Sequence, residues 1–158
     1  LKKILGKNKS ILRDINFSYS TIVSINIWLK ENKLMEDLDF YSLIDSPVHW
    51  VFNHKSHLTL VISDANELAG IPKEKIFDIA VLQLEKYLGI QKNEIISYNI
   101  IKEKRATFIP SNNILNQRPG SNTVLKNFYL AGDWINTGLP STIESAVKSG
   151  RLVSELIE

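Results

Sequence analysis

Residues 127–150 read NFYLAGDWINTGLPSTIESAVKSG, and no other stretch restricts the fold as much. An apolar run, Phe128-Tyr129-Leu130-Ala131, stops at Gly132-Asp133, and a loop with Gly138 and Pro140 follows. A helical pattern then begins. Ser141-Thr142-Ile143-Glu144 fits the S-x-x-E capping box, in which Ser141 and Glu144 satisfy orphan amides at a helix start. Ile143, Ala146, Val147, Gly150, Val153 and Ile157 then share one helical face. The pattern predicts a strand over 127–131 and a helix over 141–157. Such a connection can be an ordinary turn. It can also hold a polar ligand, because a helix N-terminus carries free N–H groups and partial positive charge. Asp133 would offer a carboxylate to hydroxyls. Gly150 costs about 1 kcal/mol relative to Ala within a helix. Its pairing with Ala146 points either to close approach of a backbone or flat ligand, or to close packing of helix on sheet.

The rest of the chain supplies a sheet. Residues 1–14 are basic and compatible with a helix. Tyr19 to Leu29 alternates, with Thr21, Val23, Ile25 and Ile27 on one parity, and reads as a strand. Residues 31–45 are polar and read as a loop. PVHWVFN (47–53) and LTLVIS (58–63) are strand-like, with His54 to His57 as the hairpin tip. Residues 64–70 form a connection. Residues 72–88 are predicted helical, with Pro72 in the first turn, Ile76, Ile79, Ala80, Leu84, Tyr87 and Leu88 as the apolar stripe, and Gly89 as the C-cap. Residues 95–108 read as a long strand and 109–126 as a loop.

Composition closes several alternatives. The 158 residues suffice for one medium domain with a real core. A formal net charge of +2 gives no electrostatic footprint for nucleic acid. There is no cysteine, hence no disulfide and no thiolate metal site. His49, His54 and His57 are the three histidines, and they lack the company a metal ion needs. The opening residues carry no apolar signal-peptide core. No apolar run approaches the roughly 18 residues of a membrane span.

Taken together, FYLAGDWINTGLPSTIESAVKSGR resembles the C-terminal flavin-binding motif of the amine-oxidase and phytoene-desaturase superfamily. The common outline is an apolar strand, Ala-Gly-Asp or Ala-Gly-Glu, a loop, and a helix with Glu-x-Ala-x-x-Ser-Gly. More narrowly, GDWINTGLPSTIESAVKSG, with SPVHWVFN (46–53) and KEKRATF (102–108), resembles the squalene-associated FAD-dependent desaturases, the hydroxysqualene dehydroxylases. One departure stands out. The superfamily's G-x-G-x-x-G loop, where the pyrophosphate would sit, is absent, since no two of the seven glycines lie two apart.

The resemblance implies a C-terminal portion of a two-domain FAD/NAD(P)-binding-like flavoprotein, α/β with an α+β substrate part. Residues 1–16 would form a basic segment. Residues 17–108 would contribute a mixed sheet and helix to the substrate domain, and 109–158 the last strand and helix of the FAD domain. The implied activity is FAD-dependent reduction of hydroxysqualene to squalene. Alternatives are a carotenoid or phytoene desaturase, a flavin amine oxidase, or a non-catalytic remnant or subunit that completes a partner's flavin domain. FAD would meet Gly132, Asp133, Trp134, Pro140, Ser141, Thr142 and Ile143. An apolar isoprenoid would meet His49, Trp50, Phe52 and Arg105. His49 can equally be a hydrogen-bonded structural histidine, and the aromatics can equally be core. No catalytic side chain is singled out. The dinucleotide-binding part would come from the same or a partner chain, so this chain alone would bind flavin weakly and be inactive. The expected location is the cytoplasm, with peripheral attachment to the inner face of the membrane.

Overall fold

The computed structural model describes residues 16–31, Leu34 and residues 38–157. The basic stretch 1–14 lies outside the described residues. The chain divides into two compact units. One is Tyr19–Ala106, and the described residues of the other are 16–18 and 107–157.

In the first unit the alternating segments form a five-stranded sheet. Its strands are β1 (Tyr19–Leu29), β2 (Phe40–Ser42), β3 (Trp50–Asn53), β4 (Leu58–Ile62) and β5 (Ile95–Phe108), in the order β2-β3-β4-β1-β5. β2 pairs with β3, β3 with β4, and β4 with β1, all antiparallel. Lys30 N–H donates to Glu94 O, and Ile109 N–H to Ser18 O, so β1 and β5 also run antiparallel. The signals of β1, β3 and β4 are strong because each of these strands buries one parity. Ile25 faces Leu60, and Leu60 faces Val51, and all three are fully buried. The helix α1 (Lys73–Leu88) contributes Ile76, Phe77, Ala80, Val81 and Leu84 to the same core. Pro72 stands just before α1 as its N-cap. Gly89 ends the helix at φ 67°, where its amide bonds Leu84 O and an L side chain would be strained. Of the expected stripe Ile76, Ala80 and Leu84 are buried and Ile79, Tyr87 and Leu88 only half-buried, while Phe77 and Val81 are buried as well, so the covered arc is turned toward 77 and 81.

Two expected loops contain structure. Residues 31–45 include β2, and 109–126 include a short helix, α2 (Asn112–Gln117). β2 lacks its own alternation and exists because β3 offers it a free edge. α2 is capped by Ser111, whose hydroxyl accepts from Ile114 N–H at 3.4 Å. That cap was a readable signal.

The second unit holds α2 and α3 (Ile143–Ser154). The strand expected over 127–131 does not form a ladder there. Tyr129 makes one isolated bridge to Asn122, and Leu130 N–H donates to Ser121 O. A strand is defined by its neighbours, and the described residues provide this run with one. α3 is shorter than the expected 141–157.

Leu60 has core contacts from both neighbouring strands, so Leu60→Ala should cost about 2–5 kcal/mol in denaturant unfolding. Ile96→Ala on β5, where Ile96 is 64% exposed, should stay within about 0.5 kcal/mol.

Candidate functional site

The loop from Gly132 to Thr142 is organised from below by one side chain. Arg118, at the C-terminal end of α2, is 7% exposed. Its Nε donates to Trp134 O at 3.3 Å and its Nη1 to Leu139 O at 2.7 Å. Its Nη2 donates to Asp133 O at 2.8 Å and also to Ile135 O. Phe108 lies under the guanidinium, 5.8 Å from ring centre to Cζ. Burial pushes the Arg118 pKa below its ordinary value, and the nearby Asp133 carboxylate pulls it back up. An arginine remains charged through either influence. The sequence reading passed over Arg118, placed in a loop before Pro119. Its only signal was a basic residue in a stretch otherwise rich in turn formers.

With the carbonyls drawn to Arg118, the carboxylate of Asp133 is left to other partners. Among the described residues one hydroxyl, that of Ser141, donates to it, at Oδ2. Gly132 adopts φ 142°, and a Cβ there would lie 2.6 Å from Trp134 Nε1. The indole therefore occupies the space that any larger residue would need. Gly132 N–H donates to Ser149 Oγ at 2.8 Å, and Ser149 donates to Ala146 O at 2.6 Å. Thr137 and Ser145 hydroxyls bond at 2.7 Å. The loop is thus stitched to α3 through two fully buried serines, Ser145 and Ser149. Pro140 follows the Leu139 carbonyl that Arg118 takes, and an apolar cavity of about 490 Å3 opens beside it, lined partly by Pro110 and Leu115.

Two expectations for α3 change. The cap is Thr142, whose hydroxyl accepts from Ser145 N–H at 3.4 Å, while Ser141 turns to Asp133 instead of capping. Glu144 therefore stands one place early for a capping box. The buried face is also displaced by one residue. Ile143 is 86% and Val147 53% exposed, and a Cβ at Gly150 would meet nothing within 4 Å. No close approach at Gly150 exists among the described residues. The covered side of α3 is the side that faces the Arg118 loop, and serines suit it because their hydroxyls complete that network.

The other named residues separate. Trp50 and Phe52 share the sheet face turned away from α1, and Phe40 of β2 joins them. Ring centres lie 6.4 Å apart for Trp50 and Phe52, and 5.8 Å for Phe40 and Trp50. Cross-strand pairing aligns Phe40, Phe52, Thr59 and Asn26 in one row. These aromatics are half-exposed rather than core. Phe40 was missed because it lies in the expected loop. His49 is not part of this cluster. Its Nδ1 accepts from Ser63 N–H at 3.1 Å, and it lines a cavity of about 520 Å3 with Asp64 and Glu67. The Arg105 guanidinium stacks over Tyr19 at 5.5 Å. Among the described residues no three His, Asp or Glu side chains gather to hold a metal ion, and no helix is long and apolar enough to cross a membrane.

The sequence profile of the flavin-containing amine oxidoreductases matches residues 19–157. The chain belongs to this family. It is 38% identical over 117 residues to the hydroxysqualene dehydroxylase of Rhodopseudomonas palustris, covering 73% of this chain and 27% of the relative. It is 29% identical over 150 residues to that of Zymomonas mobilis, covering 94% and 36%. The chain thus spans about a third or less of the length of these curated relatives. A crystal structure from Exiguobacterium sp. 255-15, provisionally named a protoporphyrinogen oxidase, superposes with a TM-score of 0.60 at 14% identity, over 90% of this chain and 35% of that one. The two share a fold.

A flavin fits the residues of the loop. Asp133 Oδ1 has no donor among the described residues, and neither Ile143 N–H nor Glu144 N–H has an acceptor there. One open carboxylate oxygen beside open amides suits a polyhydroxyl chain joined to an electron-accepting ring.

The observed cap gives a direct check. Thr142→Ala should cost about 1 kcal/mol in thermal unfolding and speed exchange of the Ser145 amide. Ser141→Ala should leave that amide as protected as before. Protection of the Glu144 amide that is lost in Ser141→Ala would instead restore Ser141 as the cap.

Proposed function

We propose that the chain is the C-terminal portion of an FAD-dependent oxidoreductase of isoprenoid metabolism, and that its reaction is the reduction of hydroxysqualene to squalene. The observation that carries this reading is the placement of Asp133, with one carboxylate oxygen open, beside the uncapped first amides of α3. The likeness to two hydroxysqualene dehydroxylases supports the substrate. When bound and reduced, FAD would supply the hydride to the carbon that loses its hydroxyl, and that hydroxyl would leave as water with one proton from solvent, the flavin being oxidised. Asp133 accepts a hydrogen bond from a hydroxyl of the ribityl chain. Gly132, Trp134 and Pro140 shape the loop that presents it. Ser141 orients the carboxylate. The amides that follow Thr142 in α3 (Ile143 and Glu144) would stabilise negative charge on a reduced flavin held there, by about 0.3–2 kcal/mol for a helix terminus.

Trp50, Phe52 and Phe40 receive the apolar chain of the substrate, whereas Arg105 stacks over Tyr19 toward the opposite end of the sheet. The ADP half of FAD is held by a dinucleotide-binding portion in the same or a partner chain. An apolar substrate brings the enzyme to the membrane surface peripherally.

Two experiments test this reading in the enzyme that carries the dinucleotide-binding portion. Asp133→Ala should weaken FAD by about 1.5–3 kcal/mol, roughly ten- to a hundredfold or slightly more, and Asp133→Asn by less, because an amide oxygen still accepts. An unchanged dissociation constant for the alanine variant would reduce Asp133 to a packing residue. In addition, chemically reduced enzyme given hydroxysqualene should yield squalene. Formation of conjugated polyenes from phytoene, with no squalene, would transfer the chain to the desaturases.

A further inference from the structure

Arg118 has a role that reaches beyond holding its own loop together. Its guanidinium takes the carbonyls of Asp133, Trp134, Ile135 and Leu139. These residues span the whole segment between Asp133 and Pro140. Peptide carbonyl and N–H groups point in opposite senses, so a segment whose carbonyls converge on one cation directs its remaining donors outward. Four of those donors are committed locally, Gly138 N–H to Asn136 Oδ1 and Leu139 N–H to Thr137 Oγ1, both at 3.3 Å, among them. Ile135 N–H returns to Gly132 O at 3.2 Å, and Asn136 N–H reaches Pro119 O at 2.9 Å. Pro119 follows Arg118, so the anchor and the loop are tied twice. At the far end, the Ser145 hydroxyl lies 3.5 Å from Nη2 and bonds Thr137, which fixes the first turn of α3 to the same cation.

Arg118 makes no ion pair with the Asp133 carboxylate. It takes the main-chain oxygen of that residue and leaves the carboxylate outside, with Ser141 as its one donor among the described residues. An arginine that bonded the carboxylate itself would withdraw it from any ligand. The observed choice orients the carboxylate without using it.

We infer that Arg118 is the positioning residue of the flavin site: it sets the distance between the Asp133 carboxylate and the first amides of α3 by binding the main chain between them. This inference rests on the flavin reading above. A lysine cannot substitute, because one ammonium has three donors without the planar fork that reaches four carbonyls in different directions.

Arg118→Lys and Arg118→Met test this at two levels. The first is amide exchange in the protein, residue by residue. Exchange across 134–139 should accelerate at least tenfold in the methionine variant and less in the lysine variant. Exchange in the later turns of α3, in the same unit as Arg118, and in β1 and β4 should stay unchanged, which shows that both units fold. Equal protection of 134–139 in all three proteins would overturn the inference.

The second level is FAD titration of the enzyme with its dinucleotide-binding portion. Arg118→Met should weaken FAD at least tenfold and Arg118→Lys by an intermediate factor. The double variant Arg118→Met/Asp133→Ala should lose less than the product of the two single losses, because both act on the same contact. A full product of losses, or unchanged affinity for the single Arg118 variants, would make Arg118 a stability residue only. A wild-type enzyme without affinity for FAD would instead overturn the flavin reading, and the positioning role with it.

Discussion

A guanidinium taken out of water must have nearly all its donors satisfied, because an unpaired buried charge costs several kcal/mol. Arg118 meets that demand with main-chain carbonyls, not with a carboxylate. The choice has structural consequences. Four carbonyls that would otherwise need strand or helix partners are satisfied in a loop. The segment 133–139 can therefore be irregular and still ordered. Gly132 enters it at a φ that side chains avoid, with Trp134 filling the room beside it. Thr142 ends it by capping α3. Remove the cation and the loop loses the common centre that gives these local features a fixed relation.

The sheet unit obeys a simpler constraint. β1, β3 and β4 each bury one parity in the core that α1 joins, and the register places Ile25, Leu60 and Val51 side by side. The other parity is released from core duty. On it the chain puts Phe40, Trp50 and Phe52 close together. Three half-exposed aromatics in contact are a surface suited to an apolar molecule. The sheet thus keeps its buried core on one face and gathers half-exposed aromatics on the other.

The strands and α1 were legible because periodicity is set by burial on a regular element, and Thr21 to Ile27 or Ile76 to Leu84 carry it plainly. Asp133 and Gly132 were legible as candidates because of their place between an apolar run and a capped helix. The identity of the cap was not. Ser141 and Thr142 are both able caps, and the competition was decided by the Asp133 carboxylate, which claims Ser141. The face of α3 was misread for a related reason. A helix whose covered side is a polar network buries serines, and apolar periodicity then points to the wrong side. Arg118 was invisible because its partners are backbone oxygens, which leave no trace in residue type. Phe40 was hidden by a polar neighbourhood and a strand of three residues.

The most direct measurement is the crystal structure of the flavin-loaded enzyme, and within it the distance from the Asp133 carboxylate to the nearest ribityl hydroxyl. A hydrogen bond of about 2.5–3.0 Å is expected, with Arg118 still bound to the carbonyls of Asp133 and Leu139. A ribityl chain bound elsewhere, with Asp133 bonded to Ser141 alone, would contradict it.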